Sequence, residues 1–248
     1  MAILFRKAKQ GRIFQDVVEQ IQTAILDGRL SPGDRLPAER ELGEMLGTSR
    51  GTLREALRVL EQKRLIEIRL GVGGGAFVKV PGGGQITESL AMLIRSQKVS
   101  LHHLAEFRED VEGTVAGLAA ERATPEAIRH LRRLLLAARS CWENGVEQWP
   151  EFVRVDEKVH MALAEAAGNP VYAIILKTVH DNIGIYYDRF LPAGRNELNE
   201  NYRDLCELVA CVAEGDAVRA CELAREHVRR FNRYMNKKKR QINGTVQV

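Results

Sequence analysis

The stretch "TSRGTLREALRVLEQ", residues 48–62, spaces Arg50, Arg54 and Arg58 four apart and interleaves Leu53, Ala56, Leu57 and Leu60 between them. Residues four apart share one helix face, so the segment predicts a helix with an apolar stripe and a guanidinium stripe. By itself an arginine stripe is more often a solvated outer surface than a surface that reads anything. The flanking segments decide between the two.

Upstream, Ile13, Val17, Ile21 and Ile25 recur every four residues and predict a helix over 12–27. "DGRLSPGDRLP" then has to turn. "AERELGEML" is a short helix with Leu42, Met45 and Leu46 on its apolar side and Gly47 at its end. Thr52 and Glu55 fit a capping box for the arginine helix, and Ser49 is the alternative cap. Downstream the period changes. "LIEIRLGVGGGAFVKV" holds two strand-like runs, 65–70 and 76–80, around a glycine-rich turn, which is a hairpin signal. Three helices followed by a hairpin make a winged helix-turn-helix, assigned to residues 1–80.

"PGGGQ", residues 81–85, is a breaker cluster and reads as a linker. Beyond it the periodicity is helical throughout, over 86–97, 101–122, 125–143, 147–168, 170–190, 198–214 and 216–238. The fold class is therefore mainly α: the winged helix-turn-helix followed by an all-α bundle over 86–240, with 241–248 as a tail. "NKKKR" near the end reads as a solvated helix terminus.

Composition bounds the function. Of the 37 Lys+Arg and 33 Asp+Glu, residues 1–80 hold 14 and 10, so the whole excess of +4 lies in the first third, as a polyanion-binding unit requires. No apolar run is long enough to cross a bilayer, and the start carries no signal-peptide pattern. Cys141, Cys206, Cys211 and Cys221 match no zinc or thioredoxin spacing, which points to reduced thiols in a cytoplasm. The glycine-rich turn lacks the Lys-Ser/Thr of a phosphate loop, and no nucleophile elbow or marked general base occurs, so enzyme classes find little support.

Arginines on a rigid helix can bridge the acceptor pair of a guanine in the major groove. Ser49 and Thr52, at the helix start, would face phosphate. Arg40 would reach the same groove from the preceding helix. Arg69 and the glycines from Gly73 onward would let the wing approach the backbone or minor groove closely.

The segment "ILDGRLSPGDRLPAERELGEMLGTSRGTLREALRVLEQKRLIEI…GGGAFV" resembles the winged helix-turn-helix of the GntR family of bacterial transcription regulators. The resemblance implies double-stranded operator DNA as partner, with Arg40, Ser49, Arg50, Thr52 and Arg54 at the contact. Arg58 is outside the family's pattern and reads as solvated. "FREDVEGTVAGLAA", "DEKVHMALAEAAGNPVY" and "EGDAVRACELAREHV" resemble the helical effector domain of the FadR-like branch. That implies a homodimeric, ligand-responsive regulator, a repressor by the family's commoner habit, with a small carboxylate or acyl effector.

In many members of the branch a divalent metal, zinc or nickel, is held by an Asp and three His. Asp156, His160 and His227 match three of these, and the i, i+4 spacing of the first two puts both on one helix face. The matching position for the remaining histidine is Leu205, which leaves three ligands and an open position. His180 is a substitute ligand or an effector-pocket residue. Arg108 and Glu112 match the family's R-x-x-x-E, the arginine being expected to grip an effector carboxylate; the bland alternative is an intrahelical pair. Tyr187, with Tyr186 and Arg189, would add polar groups to the pocket. A metal sensor, or a metal-dependent hydrolase using the open position, is the competing function.

Overall fold

The computed structural model describes residues 12–79, 84–96, 98–191 and 194–245. The chain divides into two compact units after Gln85. The first holds α1 (Arg12–Leu26), α2 (Glu39–Met45), α3 (Arg50–Gln62), β1 (Ile66–Arg69) and β2 (Gly75–Val78). The second is built from α4 (Gly84–Arg95), α5 (Leu101–Arg122), α6 (Pro125–Asn144), α7 (Trp149–Ala166), α8 (Pro170–Phe190), α9 (Arg195–Glu214) and α10 (Ala217–Thr245), with one 3-10 turn, Val146–Gln148, before α7.

In the first unit the apolar stripes of α1 and α3 close on each other. Val17, Val18, Ile21 and Ile25 meet Leu53, Ala56, Leu57 and Leu60 in one core with Leu36, Leu42, Ile66 and Val78. Ser49 is the cap of α3 and accepts from the Thr52 amide at 3.2 Å, so of the two candidate caps the serine serves. The hairpin pairs Ile66 with Val78 and Arg69 with Gly75. The turn before α2 adds a third edge, with Leu36 N–H donating to the Ala76 carbonyl and Val78 N–H to the Asp34 carbonyl. Both strands are shorter than their sequence runs. Arg64, at φ +57, turns the chain out of α3 and into the hairpin.

In the second unit several helix starts are marked by residues whose side chains accept from the first turn. Ser100, Thr124 and Asn169 do this, the latter two followed by a proline at the first helical position. Gly215 ends α9 in the left-handed region, which a glycine enters without strain. The core joins Val115, Ala116 and Ala119 of α5 with Phe152, Val155, Val159 and Leu163 of α7, Leu205, Leu208 and Val212 of α9 and Ala220, Leu223 and Ala224 of α10. Gly113 and Gly117, one turn apart on α5, let α10 lie close. A Cβ at Gly117 would sit 3.2 Å from the Ala217 carbonyl oxygen, and one at Gly113 would strike the Arg225 stem at 2.6 Å.

Several boundaries differ from the sequence reading, α7 for one being Trp149–Ala166 against 147–168. The expected linker 81–85 is not linker throughout, because Gly84 and Gln85 already belong to α4; residues 80–83 lie outside the described set. α9 begins at Arg195, three residues earlier than the apolar pattern predicts, and α10 runs on to Thr245, into the expected tail. In both, polar residues without periodicity extend a helix that the apolar pattern had already started. No described helix is long and apolar enough to cross a membrane.

Phe152 is fully buried at the centre of the second unit. Phe152→Ala is expected to lower unfolding free energy by about 3–5 kcal/mol in urea denaturation followed by circular dichroism; a loss below about 1 kcal/mol would contradict this placement of the core.

Candidate functional site

Two groupings carry chemistry, one in each unit. In the first, Arg40, Ser49, Arg50 and Arg54 are exposed and Thr52 is half-buried. Arg54 Nε donates to Glu39 Oε2 at 2.7 Å, linking α3 to the start of α2. Ser49 Oγ and Thr52 Oγ1 lie 2.9 Å apart at the helix start. Arg69 is turned onto its own hairpin, 3.1 Å from Glu67 and with its guanidinium carbon 4.4 Å from the Phe77 ring centre. Gly73, at φ +82, is exposed in the wing turn. Arg58 is exposed as well, as a solvated residue should be.

In the second unit four helices meet at a buried polar cluster, and α9 joins it. Arg108 and Glu112 come from α5, Asp156 and His160 from α7, His180 and Tyr187 from α8, and His227 from α10. Arg108 Nε is 2.5 Å from Glu112 Oε1, both residues being almost wholly buried. The same guanidinium donates to the Tyr187 hydroxyl. Glu112 Oε2 is 2.6 Å from His160 Nδ1, and its Oε1 is 3.3 Å from His180 Nε2. On the far side of the His160 ring, Nε2 is 3.7 Å from Asp156 Oδ2. Asp156 Oδ1 is 3.1 Å from His227 Nε2, and His227 Nδ1 is 3.3 Å from Asp204 Oδ2. Asp204 also lies 3.2 Å from Arg230 Nε.

The charges answer one another. Burial pushes the Glu112 carboxyl up, but Arg108 and His160 outweigh it and hold the group well below the usual carboxylate range. Asp156 is lowered in the same way, burial being overcome by His227 and His160. His180 is lowered by burial and by the adjacent Arg108, which favours its neutral form. Burial also opposes charge on His227, yet Asp156 and Asp204 on its two nitrogens win and raise it to about 9.

Among the described residues two donor triplets are close enough to share an ion: Glu112/His160/His180 and Asp156/His160/His227. The first already has a cation, since Arg108 sits on Glu112, and a second positive charge there would be repelled. The second offers one carboxylate and two imidazoles, all buried, with donor separations of 3.1 and 3.7 Å to Asp156. His160 Nε2 is buried without a hydrogen-bond partner. Glu112 Oε2 lies 2.6 Å from the other nitrogen of that ring, where a proton on Nδ1 would leave the Nε2 lone pair facing Asp156. The donor set suits zinc or nickel.

Leu205 is turned away from this cluster. It is fully buried in the apolar core with Val155 and Val159, and the adjacent Asp204 is the α9 residue that reaches His227. Sequence reading missed Asp204. Its signal was an acid one position from the expected ligand, on a helix otherwise read for its apolar residues. Arg108 is not a free guanidinium awaiting a carboxylate, because Glu112 and Tyr187 hold it; nor is the Arg108–Glu112 pair the exposed intrahelical bridge of the bland alternative. Of the other pocket candidates, the Arg189 side chain lies outside the described residues.

A pH dependence follows for protein kept in chelator. His227 has a folded value raised above its unfolded value near 6.5, so its contribution to stability is fully present below about 6.5 and is lost as pH rises through about 9. The melting temperature is expected to fall across that window, and to fall less in His227→Gln. Equal slopes in the two proteins would contradict the pairing with Asp156 and Asp204. His180, lowered rather than raised, acts with the opposite sign and at lower pH.

Comparison with known proteins places these groupings. The family model for bacterial regulatory proteins of the gntR family matches residues 14–78, and the FCD domain model matches residues 103–230. The Glc operon transcriptional activator of Escherichia coli (strain K12) is 30% identical over 232 residues, spanning 90% of this chain and 89% of that one. The HTH-type transcriptional repressor NanR of Enterobacter sp. (strain 638) is 28% identical over 217 residues, spanning 86% and 81%. Among solved structures, Streptococcus agalactiae GntR superposes with a TM-score of 0.66 at 23% identity, covering 87% of this chain and 96% of that one, a likeness of fold. The chain belongs to the GntR family, with a helix-turn-helix followed by an FCD domain, and is a DNA-binding transcription regulator rather than an enzyme.

Proposed function

We propose that this regulator binds an inverted-repeat operator as a homodimer and represses transcription there. It responds to a small carboxylate or acyl effector in the buried cluster of its helical unit, beside a divalent ion, zinc or nickel. One observation carries the reading. Arg108, Glu112, Asp156, His160, His180 and His227 are all buried around one centre, although burying charge is costly unless something requires it.

At the operator, α3 lies in the major groove with Arg50 and Arg54 on base edges and Arg40 beside them, while Ser49 and Thr52 face phosphate. Arg54 exchanges Glu39 for DNA on binding, an inexpensive exchange because both partners are exposed. Two copies related by a two-fold axis place their α3 helices about one DNA turn apart, which is why the operator is an inverted repeat.

In the helical unit Asp156, His160 and His227 would hold the ion, which would supply Lewis acidity toward an anionic effector. Glu112 orients His160, and Asp204 orients His227. Arg108, His180 and Tyr187 contact the effector's acidic end, whose carboxylate competes with Glu112 for the guanidinium. The effector alters operator affinity by binding the operator-competent and released states unequally. Work on chromosomal DNA places the protein in the cytoplasm. The NanR relative is a repressor and the Glc relative an activator, so a reporter assay settles the sign for this chain.

Binding is tested by selecting fragments on the protein and measuring affinity at fixed salt. Arg50→Ala and Arg54→Ala are each expected to weaken operator binding by roughly 10- to 100-fold. His160→Gln is expected to keep operator affinity while blunting release by a panel of small mono- and dicarboxylates. A wild-type complex indifferent to every carboxylate, or a His160→Gln protein that responds as wild type does, would overturn the effector assignment. Release by zinc or nickel alone would make the ion itself the signal.

A further inference from the structure

The positive charge of the helical unit is gathered at one end. Residues 86–226 carry 16 Lys+Arg against 23 Asp+Glu, whereas residues 227–248 carry seven Lys+Arg and no acid. All seven lie on α10, which runs on to Thr245. Phe231 and Met235 are buried in the bundle, while Arg233, Asn236, Lys237 and Lys238 are exposed. Met235 is the last buried residue among those described, so the helix continues past the part that packing supports.

Two ordinary explanations for such cations fall short. Basic residues gather at helix C-termini because they answer the free carbonyl groups there, but that effect fades within the last turn. Lys237 and Lys238 stand seven or more residues before Thr245, and the last turn holds no basic residue. Cations also pair with acids, and nearer the core they do: Arg229 meets Glu109 at 2.5 Å, and Arg230 lies 3.2 Å from Asp204. Arg233, Lys237 and Lys238 form no ion pair among the described residues, and after Glu226 the helix holds no acid to offer them. Arg229, Arg233 and Lys237 instead follow one another four apart, where like charges repel and weaken a helix.

We propose that α10 from Arg233 onward is a second nucleic-acid contact, which takes phosphates of a duplex backbone without reading bases. Lysine suits this, being a flexible point charge that meets phosphate from many directions. Four helical residues rise about 6 Å, and each DNA strand presents a phosphate about every 3.4 Å of axis, so successive cations each reach one. A protein partner or a bilayer would need exposed apolar side chains as anchors. Phe231 and Met235 are packed in the core instead, and no described residue from 227 on is an exposed large hydrophobe. The contact supplies affinity that is independent of sequence and sensitive to salt. It stands on its own residues and not on the placement of α3.

Binding of the full-length protein to a random-sequence duplex lacking the operator is measured across a series of KCl concentrations. Arg233→Gln/Lys237→Gln/Lys238→Gln is expected to bind about tenfold more weakly at low salt, with the slope of log K against log salt reduced by about two to three. The same reduction is expected in an Arg50→Ala/Arg54→Ala background, and Arg233→Lys should keep both affinity and slope. Unchanged affinity and slope in the triple variant would overturn the proposal. Poly-glutamate competing as well as the duplex at equal charge would overturn it too, by making this end a dock for acidic protein. Capture of the wild type, but not the triple variant, by phosphatidylglycerol vesicles in preference to the duplex would reassign it to a lipid surface. Operator preference that survives Arg50→Ala/Arg54→Ala would instead strike at the α3 reading and leave the α10 contact standing. All three substituted side chains are exposed, and matching thermal melts exclude misfolding as the cause.

Discussion

The buried imidazole of His160 sits between two carboxylates, Glu112 at its Nδ1 and Asp156 across from its Nε2, and the charges of the helical unit are arranged around that line, with Nε2 left unpaired. Charges removed from water must find opposite charges at hydrogen-bonding distance or destabilise the fold by several kcal/mol each. Every neighbour serves this. Arg108 neutralises Glu112, His227 bridges Asp156 and Asp204, and Arg230 stands behind Asp204. Five helices are thereby fixed in register. The apolar core with Phe152 and Leu163 closes the bundle, but many alternative registers would bury as much hydrocarbon. Few would pair these charges.

The same principle operates more gently in the DNA-facing unit. There the charges are exposed, so pairing them adds little to stability and can be exchanged readily. Glu39 holds Arg54 Nε at 2.7 Å in one such exposed pair. The rigid part is apolar: α1 and α3 share one core, and the edge at Leu36 ties the hairpin to it. A reading surface on such a scaffold pays little in ordering when DNA binds.

The sequence shows much of this arrangement directly because its signals are local. The helix 101–122 begins at a serine cap and 170–190 at an asparagine followed by proline, and both boundaries hold in the structure. The i, i+4 spacing of Asp156 and His160 placed both on one face, and the glycine-rich turn marked the wing. What stayed hidden is non-local. Nothing in the spacing of α9 distinguishes Asp204, which faces His227, from Leu205, which faces the core. Arg108 had a visible candidate partner in Glu112, but whether the pair was wet or dry depends on α7, α8 and α10 packing over it. Likewise, Arg54 and Glu39 are separated by a turn whose path no periodicity records.

The claim that most depends on this geometry is that Asp156, His160 and His227 form a metal-binding triad oriented by Glu112 and Asp204. Chelator-stripped protein can be titrated with zinc, dialysed and assayed for metal by elemental analysis, alongside Asp156→Asn/His160→Gln at matched folded content. The account expects about one ion retained per wild-type chain and essentially none in the variant. Wild-type protein that retains no ion, or a variant that retains as much, would contradict it.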